Sequence, residues 1–299
     1  MSILVLGTVA LDTVKTPHGL RRDILGGSAA HFSMAARLFT DVHLVAVVGE
    51  DFPIAHIEFL RKKGVELTSL IREKGPSFKW SGKYEGDLNS AITLSTELGV
   101  LASFKPRVGD HQRGIANIFL ANIDPDIQRH LLNHMHKPKL VGLDSMNYWI
   151  NTKRKALLRV LKMVNIYLVN DAEARQLSGE HSLIKAAKAI RKMGPEIVVL
   201  KKGEHGVLLY CDKFIFSLPA FPVMKVVDPT GAGDTFAGGF MGYLSRAGNT
   251  KESELRKAIA YGVAAASYNV EDFGLNRTSK LKYNDLVIRL KSLRKVINF

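Results

Sequence analysis

The sequence predicts an α/β protein: a doubly wound, mostly parallel sheet with helices on both faces, carrying a small β lid. Three observations predict it. Short runs that are apolar at nearly every position alternate with helical patterns along the chain, as βαβ units with strands buried on both faces do. Two segments, about 10–24 and 78–95, interrupt that rhythm with mixed polar and apolar residues and no helical period, which fits short antiparallel strands projecting from the sheet. No internal repeat or low-complexity linker divides the 299 residues, so 1–299 reads as a single domain.

The elements follow in order. Ile3–Leu6 is the first buried strand, and Ala10–Ile24, with Asp12, Pro17 and Gly19, is the first lid segment. Ala29–Phe39 has a helical period and Val42–Val48 is the next strand. Phe78–Leu94 forms the second lid segment, where Trp80 and Tyr84 would be costly to leave exposed without purpose; an ordinary surface hairpin is the plainer reading. Ile118–Ala121, Leu140–Leu143, Ile166–Val169 and Ile197–Leu200 continue the parallel strands. Helices cover Arg154–Met163 and Leu183–Met193, the latter stopped by Gly194-Pro195. Apolar residues recur at helical spacing through Asn284–Ile297, an amphipathic closing helix.

A content of 46% apolar and 23% charged residues lets a chain of this length bury a large core without disulfides or metals. No apolar run reaches the roughly 18 residues a membrane span requires. Met1–Gly7 enters a strand-like run without a basic leader or cleavage site, so a cytoplasmic location and no membrane partner are expected. The lone Cys211 excludes an intramolecular disulfide and falls where a hairpin turn would lie. A net charge of +14 raises the question of nucleic acid, but the basic residues are spread along the chain, densest at Lys153–Lys155 and Lys280–Lys295. No helix-turn-helix, zinc-finger spacing or aromatic-rich basic stripe accompanies them, and nucleic acid is not expected as the main ligand. The charge suits polyanionic substrates or a solvated exterior.

The chemistry concentrates in Val227-Asp228-Pro229-Thr230-Gly231-Ala232-Gly233-Asp234-Thr235-Phe236-Ala237-Gly238-Gly239. Phe236, Phe240, Tyr243 and Leu244 share a helical face, so a helix starts close to Asp234 and Gly231-Ala232-Gly233 makes its N-terminal turn. Free N–H groups there, unshielded by bulky side chains, form a cradle for a phosphate carrying developing charge. A carboxylate at the same turn would repel an anion, yet it makes sense as the base that takes a proton from a hydroxyl attacking phosphorus. Asp234 is given that role; a plain helix cap with a tight glycine turn is the alternative. Gly238, Gly239 and Gly242 lie inside the helix at a cost of about 1 kcal/mol each against alanine, so another element must pack very close. The small-residue helix Leu255–Val270 fits that need.

Asp-Pro-Thr-Gly-Ala-Gly-Asp-Thr-Phe resembles the C-terminal signature of the ribokinase-like (PfkB) carbohydrate kinase family, which includes adenosine kinase and related nucleoside kinases. Leu25-Gly26-Gly27-Ser28-Ala29 and the helix after it resemble the family's N-terminal diglycine signature, and Asn170-Asp171-Ala172-Glu173 its Asn-x-x-Glu motif. The resemblance implies the same sheet-plus-lid architecture and phosphoryl transfer from ATP to a hydroxyl of a sugar or nucleoside, with magnesium. Two alternatives stay open: a kinase of the same fold for a vitamin-like alcohol or sugar phosphate, and a non-catalytic ligand- or nucleic-acid-binding protein. The intact Asp234 and Gly231–Gly233 argue against the second.

The resemblance implies a role for each matching residue. Asp234 is the base, and Gly231, Ala232 and Gly233 are the anion hole. Asn170 and Glu173 emerge at the C-terminal end of a buried strand, where α/β sheets bind ligands. They are assigned to the magnesium–phosphate region, Glu173 through water; the plainer reading is a capping box, and both can hold together. Lys201, Gly203 and Gly206 align with the nucleotide-binding loop, although threonine is usual where Lys201 stands, and Val263 aligns with a position bordering the adenine. On the acceptor side Asp12 matches an aspartate that binds substrate hydroxyls, Gly26 and Gly27 the hinge and close approach, and Asn122 a polar ligand of some members. His31 stands where a substrate-contacting asparagine is usual; histidine has fewer hydrogen-bonding groups and can be charged, which alters the preferred hydroxyl pattern. Asp144-Ser145-Met146-Asn147 lacks the proline common after that aspartate. The segment around Asp228, Thr230, Asn269, Asp272 and Gly274 resembles the place where several relatives hold potassium. The aromatic face of the lid, with Phe78, Trp80, Gly82 and Tyr84, is expected to line the substrate, and its rival use is a homodimer through the lid.

Other motifs carry less. His130 and His134 lie one helical turn apart with His136 near, but Leu131 stands where a zinc protease needs glutamate. No P-loop ending in Gly-Lys-Ser or Gly-Lys-Thr and no Gly-x-Ser-x-Gly elbow is present.

Overall fold

In the computed structural model, which describes residues 1–86 and 88–298, the runs that are apolar throughout become the strands of one sheet. The chain starts with β1 (Ser2–Leu6), leaves the sheet for a hairpin of β2 (Ala10–Thr16) and β3 (Gly19–Gly26), and returns through α1 (Ser28–Ala36), β4 (Asp41–Gly49), α2 (Ile54–Lys62) and β5 (Val65–Glu73). A second hairpin, β6 (Lys79–Tyr84) and β7 (Ala91–Glu97), precedes α3 (Asp110–Arg113), β8 (Asn117–Leu120) and α4 (Pro125–Asn133). Next come β9 (Leu140–Asp144), α5 (Asn147–Thr152), α6 (Arg154–Leu161), β10 (Ile166–Asn170), α7 (Asp171–Ser178), α8 (Leu183–Arg191) and β11 (Ile197–Lys201). A final hairpin of β12 (Val207–Tyr210) and β13 (Ile215–Leu218) leads to α9 (Ala232–Ala247), α10 (Glu252–Asn269) and α11 (Tyr283–Ile297).

The nine strands run in the order β13-β12-β11-β10-β9-β8-β1-β4-β5, parallel from β11 to β5 and antiparallel at β12 and β13. Both faces are covered: Ile3 and Val5 belong to one core cluster, Leu4 and Leu6 to the other, as the two-residue period of a strand requires. Register sets the strand ends in a row, with Leu168 opposite Asp144 and Asn170 opposite Lys201. That row is the C-terminal edge, where the crossovers of a doubly wound sheet leave room for a ligand.

Two expected helices differ at their ends. The first stops at Ala36, with residues 37–39 in a turn, and α10 begins at Glu252, a few residues before the expected start. The glycines inside α9 serve two partners, where one was expected. A Cβ on Gly238 would sit 2.2 Å from the Phe32 carbonyl oxygen of α1, and one on Gly239 would sit 2.9 Å from the Tyr261 carbonyl oxygen of α10. Alanine at either position would drive the helices apart.

The two hairpins join into a separate four-stranded sheet, β3-β2-β6-β7. Its hairpins are antiparallel as expected, but the central pair β2–β6 is parallel. Each of these strands follows a strand of the main sheet, β1 or β5, and those point the same way, so the strands that leave them do too. Phe78 departs from the expected aromatic face: it precedes β6 and packs against the main core, while Trp80 and Tyr84 join a small cluster with Val14 and Phe273.

Candidate active site

Gly231 caps α9 with φ 72°, a conformation that L side chains rarely adopt, and a Cβ there would meet the His31 ring at 2.3 Å. Among the described residues no side chain caps this helix; the Ala232 N–H turns back to the Pro229 carbonyl at 3.1 Å, while the Gly231 and Gly233 N–H groups have no backbone partner there and, with the positive end of the dipole, face the recess. Asp234 lies in that first turn and is half-buried. Burial, and then the charge of Asp144, push its carboxyl up to about 7, while Lys201 pulls it down.

Lys201 ends β11 and reaches under the same turn: its Nζ lies 3.1 Å from where a Cβ of Gly233 would be. It forms an ion pair with Asp144, the last residue of β9. Burial alone would lower the lysine's pKa, but Asp144 and Glu173 outweigh that and hold it above its usual value. At the end of β10, the Glu173 N–H donates to Asn170 Oδ1 at 2.8 Å and the Asn170 N–H to Glu173 Oε2 at 3.1 Å, the reciprocal capping box that the spacing allowed. Burial and then Asp144 raise Glu173 to about 7. Gly203 and Gly206 lie in the one-turn loop beyond Lys201. Val263, by contrast, is 6% exposed and packs into the core.

On the opposite wall, Asp12 of β2 is 5% exposed and accepts from the Gly27 N–H at 3.3 Å. Burial raises it to about 7, and the nearby Asp228 and Asp234 push the same way against that hydrogen bond. A Cβ on Gly26 would lie 1.9 Å from its Oδ2, so the diglycine is what admits this carboxylate. Behind it Thr8 and Ser28 lock the turn, with N–H to hydroxyl bonds of 3.1 and 2.9 Å in both directions. Asn122 is turned elsewhere: its Oδ1 accepts from Trp149 Nε1 at 3.0 Å, and its Nδ2 lies 3.2 Å from Met146 Sδ.

His31 is 1% exposed beneath Gly231, and burial holds its pKa below the usual value although Asp228 and Asn269 pull upward, which favours the neutral ring. The Asn269 amide fixes its tautomer. Asn269 Nδ2 donates to the Thr230 carbonyl at 2.7 Å, so Oδ1, 3.1 Å from His31 Nδ1, must accept, and Nε2 is left as an acceptor without a partner among the described residues. Asp228, fully buried, accepts from the N–H groups of Thr230 at 2.9 Å and Gly274 at 3.0 Å. Among the described residues no cationic side chain forms an ion pair with it.

The structure thus gathers Asp234, Gly231–Gly233, Lys201, Glu173 and Asp12 around one recess and leaves Val263 and Asn122 engaged elsewhere. Sequence reasoning missed Asp144 as a partner of Lys201, and two contacts from the small sheet: Thr230 Oγ1 donates to Tyr84 Oη at 3.4 Å, and Asn89 Nδ2 to Glu204 Oε1 at 2.8 Å. An aspartate closing an otherwise apolar strand was the available signal for the first.

Residues 114–281 match the model of the pfkB family of carbohydrate kinases. The cytidine kinase of Thermococcus kodakarensis is 29% identical over 293 residues, 92% of this chain and 98% of its own length. Among solved structures, the nucleoside kinase of Methanocaldococcus jannaschii superposes with a TM-score of 0.77 at 21% identity, over 97% of this chain and 98% of that one. The aminoimidazole riboside kinase of Salmonella enterica, in complex with aminoimidazole riboside and an ATP analogue, gives 0.76 at 21% identity, over 97% of this chain and 100% of that one. These structural likenesses establish the fold.

Proposed function

The chain belongs to the pfkB family of carbohydrate kinases, and from that premise we propose that it transfers a phosphoryl group from ATP to a hydroxyl of a nucleoside, with Asp234 as the base. The observation that carries the assignment of roles is the close placement of Asp234 and Lys201 on either side of the uncapped turn Gly231–Gly233. A carboxyl at about 7 takes a proton from the acceptor hydroxyl, whose oxygen attacks the terminal phosphorus as ADP leaves. The amides of the turn and the Lys201 ammonium carry the charge that develops on the transferring group. Asp12 orients acceptor hydroxyls from the opposite wall.

Asp144 and Glu173 fit a divalent cation. They are buried carboxylates, both pushed up first by burial and Glu173 also by Asp144, with Lys201 as the cation beside them. Magnesium there, with Glu173 reaching it through water, would neutralise the nucleotide phosphates. Asp228 fits a monovalent cation on the same reasoning, and potassium is assigned to it and Thr230. This reading takes 1–299 as one kinase domain and the four-stranded sheet, about 10–24 and 78–95, as its lid. Tyr84 and Asn89 support that, since they reach the turn before α9 and the loop after β11. No helix among the described residues is long and apolar enough to cross a membrane.

A nucleoside is preferred over a free sugar because the cytidine kinase aligns with 92% of this chain. ATP consumption measured with cytidine, other nucleosides, ribose and fructose tests this. Turnover highest with a nucleoside is expected, and turnover with sugars alone would reverse the choice of acceptor. No consumption with any of them would sink the kinase assignment of these residues.

A further inference from the structure

At the opposite edge of the main sheet, near the N-terminal ends of β4 and β5, His43, Glu66 and His111 converge. His43 and Glu66 are register partners on adjacent strands, and His43 Nδ1 lies 3.1 Å from Glu66 Oε2. His111 comes in from α3, and one ligand atom from each of the three side chains lies within 4.8 Å of the others. The His111 side chain makes no hydrogen bond to any described residue.

We propose that these residues form a second, structural metal site, for zinc or a similar late transition-metal dication. Two imidazoles and one carboxylate are the nitrogen and oxygen set that suits zinc, whereas magnesium and calcium take oxygen alone. Tetrahedral zinc with bonds near 2.1 Å sets its ligand atoms about 3.4 Å apart. The His43–Glu66 pair, at 3.1 Å, is within a few tenths of an ångström of that spacing, and the exposed His111 side chain has only to swing inward, leaving the fourth position to water.

The carboxylate is held as a metal ligand is held. Gln112, fully buried, donates from Nε2 to Glu66 Oε2 at 3.1 Å, and its own Oε1 accepts from the Gly109 N–H at 3.2 Å. The Thr68 N–H donates to Glu66 Oε1 at 2.8 Å. Such outer contacts fix the direction of a ligand's lone pairs. An ordinary His–Glu pair explains the first two residues but not a third ring beside them, that of His111, which lies 6.5 Å from the His43 ring between centroids and makes no hydrogen bond to a described residue. Bound metal would tie the edge strand β5 and the short α3 to β4, far along the strands from the recess that ends β9, β10 and β11.

The test uses untagged full-length protein freed of metal by a chelator, titrated with zinc by calorimetry and followed by thermal unfolding without nucleotide. One zinc with a His111-dependent rise in Tm is expected, and magnesium at the same concentration should give no such rise. His111→Ala, at an exposed position, should weaken zinc binding at least tenfold while magnesium-ATP turnover stays at the wild-type value. Glu66→Gln should weaken zinc binding as well. Cobalt added in place of zinc should give visible absorption bands that His111→Ala removes. Equal zinc affinity of wild type and His111→Ala, or no zinc bound by wild type, overturns the site.

Discussion

The floor of the recess and the small sheet above it face one another but are built by opposite rules. On the floor, polar groups are fixed from several sides: Asp228 by two backbone N–H groups, Glu173 by a reciprocal cap, Lys201 by Asp144. In the small sheet, every residue of β7 is exposed, with Ile92 at 45% and Leu94 at 57%, and hydrogen bonds such as those of Tyr84 and Asn89 tie it across the recess. Under the proposed function the difference separates two tasks. Charge must be met by dipoles that do not have to reorganise, so the floor is rigid; choosing and enclosing an acceptor suits an element with few anchoring contacts.

The largest effect should come from the floor. Asp234→Asn keeps the shape of the turn and removes the proposed base, so turnover should fall at least about a hundredfold while nucleotide binding and Tm stay close to wild type. Near wild-type turnover would break the comparison at its first point. The pH profile sharpens it. Asp234 sits at about 7 and must be ionised to accept a proton, so kcat/KM of the wild type should fall as pH drops through 7. Asp12 and Glu173, also near 7, should steepen that limb. A profile flat from pH 8 to about 5.5 would show that no such group controls the reaction.

A smaller loss should follow from replacing potassium by a bulky organic cation. Asp228 is fully buried without an ion-pair partner among the described residues, and a cation beside it would strengthen the anion hole. Turnover should fall by about tenfold, on the order of a unit charge felt across roughly 12 Å at an effective dielectric of about 20. Activity that ignores the exchange would leave Asp228 as a purely structural clasp for Thr230 and Gly274.

The two regions were also unequally legible. Strands such as Ile166–Val169 announce themselves because they are buried on both faces, and the glycines before Asp234 announce a helix N-terminus whatever surrounds them. The glycine-flanked start of α9 was therefore readable from a dozen consecutive residues. Asp144 was not, since its partner Lys201 is 57 positions away and only the register of β9, β10 and β11 brings them together. The setting of His31 was hidden for a related reason: a helical period shows which residues share a face, not that Gly231 would close over this one. The α1 side of the α9 glycines was missed because two helices compete for the same stripe, and sequence names only the more obviously small one. In the small sheet, alternation revealed the strands, but the place of Phe78 depends on where β6 begins, which alternation fixes poorly.

The smallest expected effect lies in the small sheet proposed as the lid and decides what its aromatic face does. Trp80 is the register partner of Asp12 across β2 and β6, so the two side chains project from the same face. Its ring lies over Gly82, where a Cβ would come within 2.2 Å, and its Nε1 donates to Thr93 at 3.3 Å, so the indole is set flat along the strand. A flat aromatic wall beside Asp12, the proposed ligand of acceptor hydroxyls, suits a base or sugar ring. Trp80→Ala should then raise the acceptor KM by about three- to tenfold, the size of a lost aromatic contact, with little change in the KM for ATP. The rival is a lid that packs on the lid of a second copy, which the exposed Ile92 and Leu94 of β7 would favour. In that case the same substitution should weaken a dimer visible by light scattering and leave the acceptor KM alone until the dimer dissociates. An unchanged KM together with an unchanged oligomeric state would remove Trp80 from both roles and leave Asp12, beside it on β2, as the small sheet's contact with the acceptor.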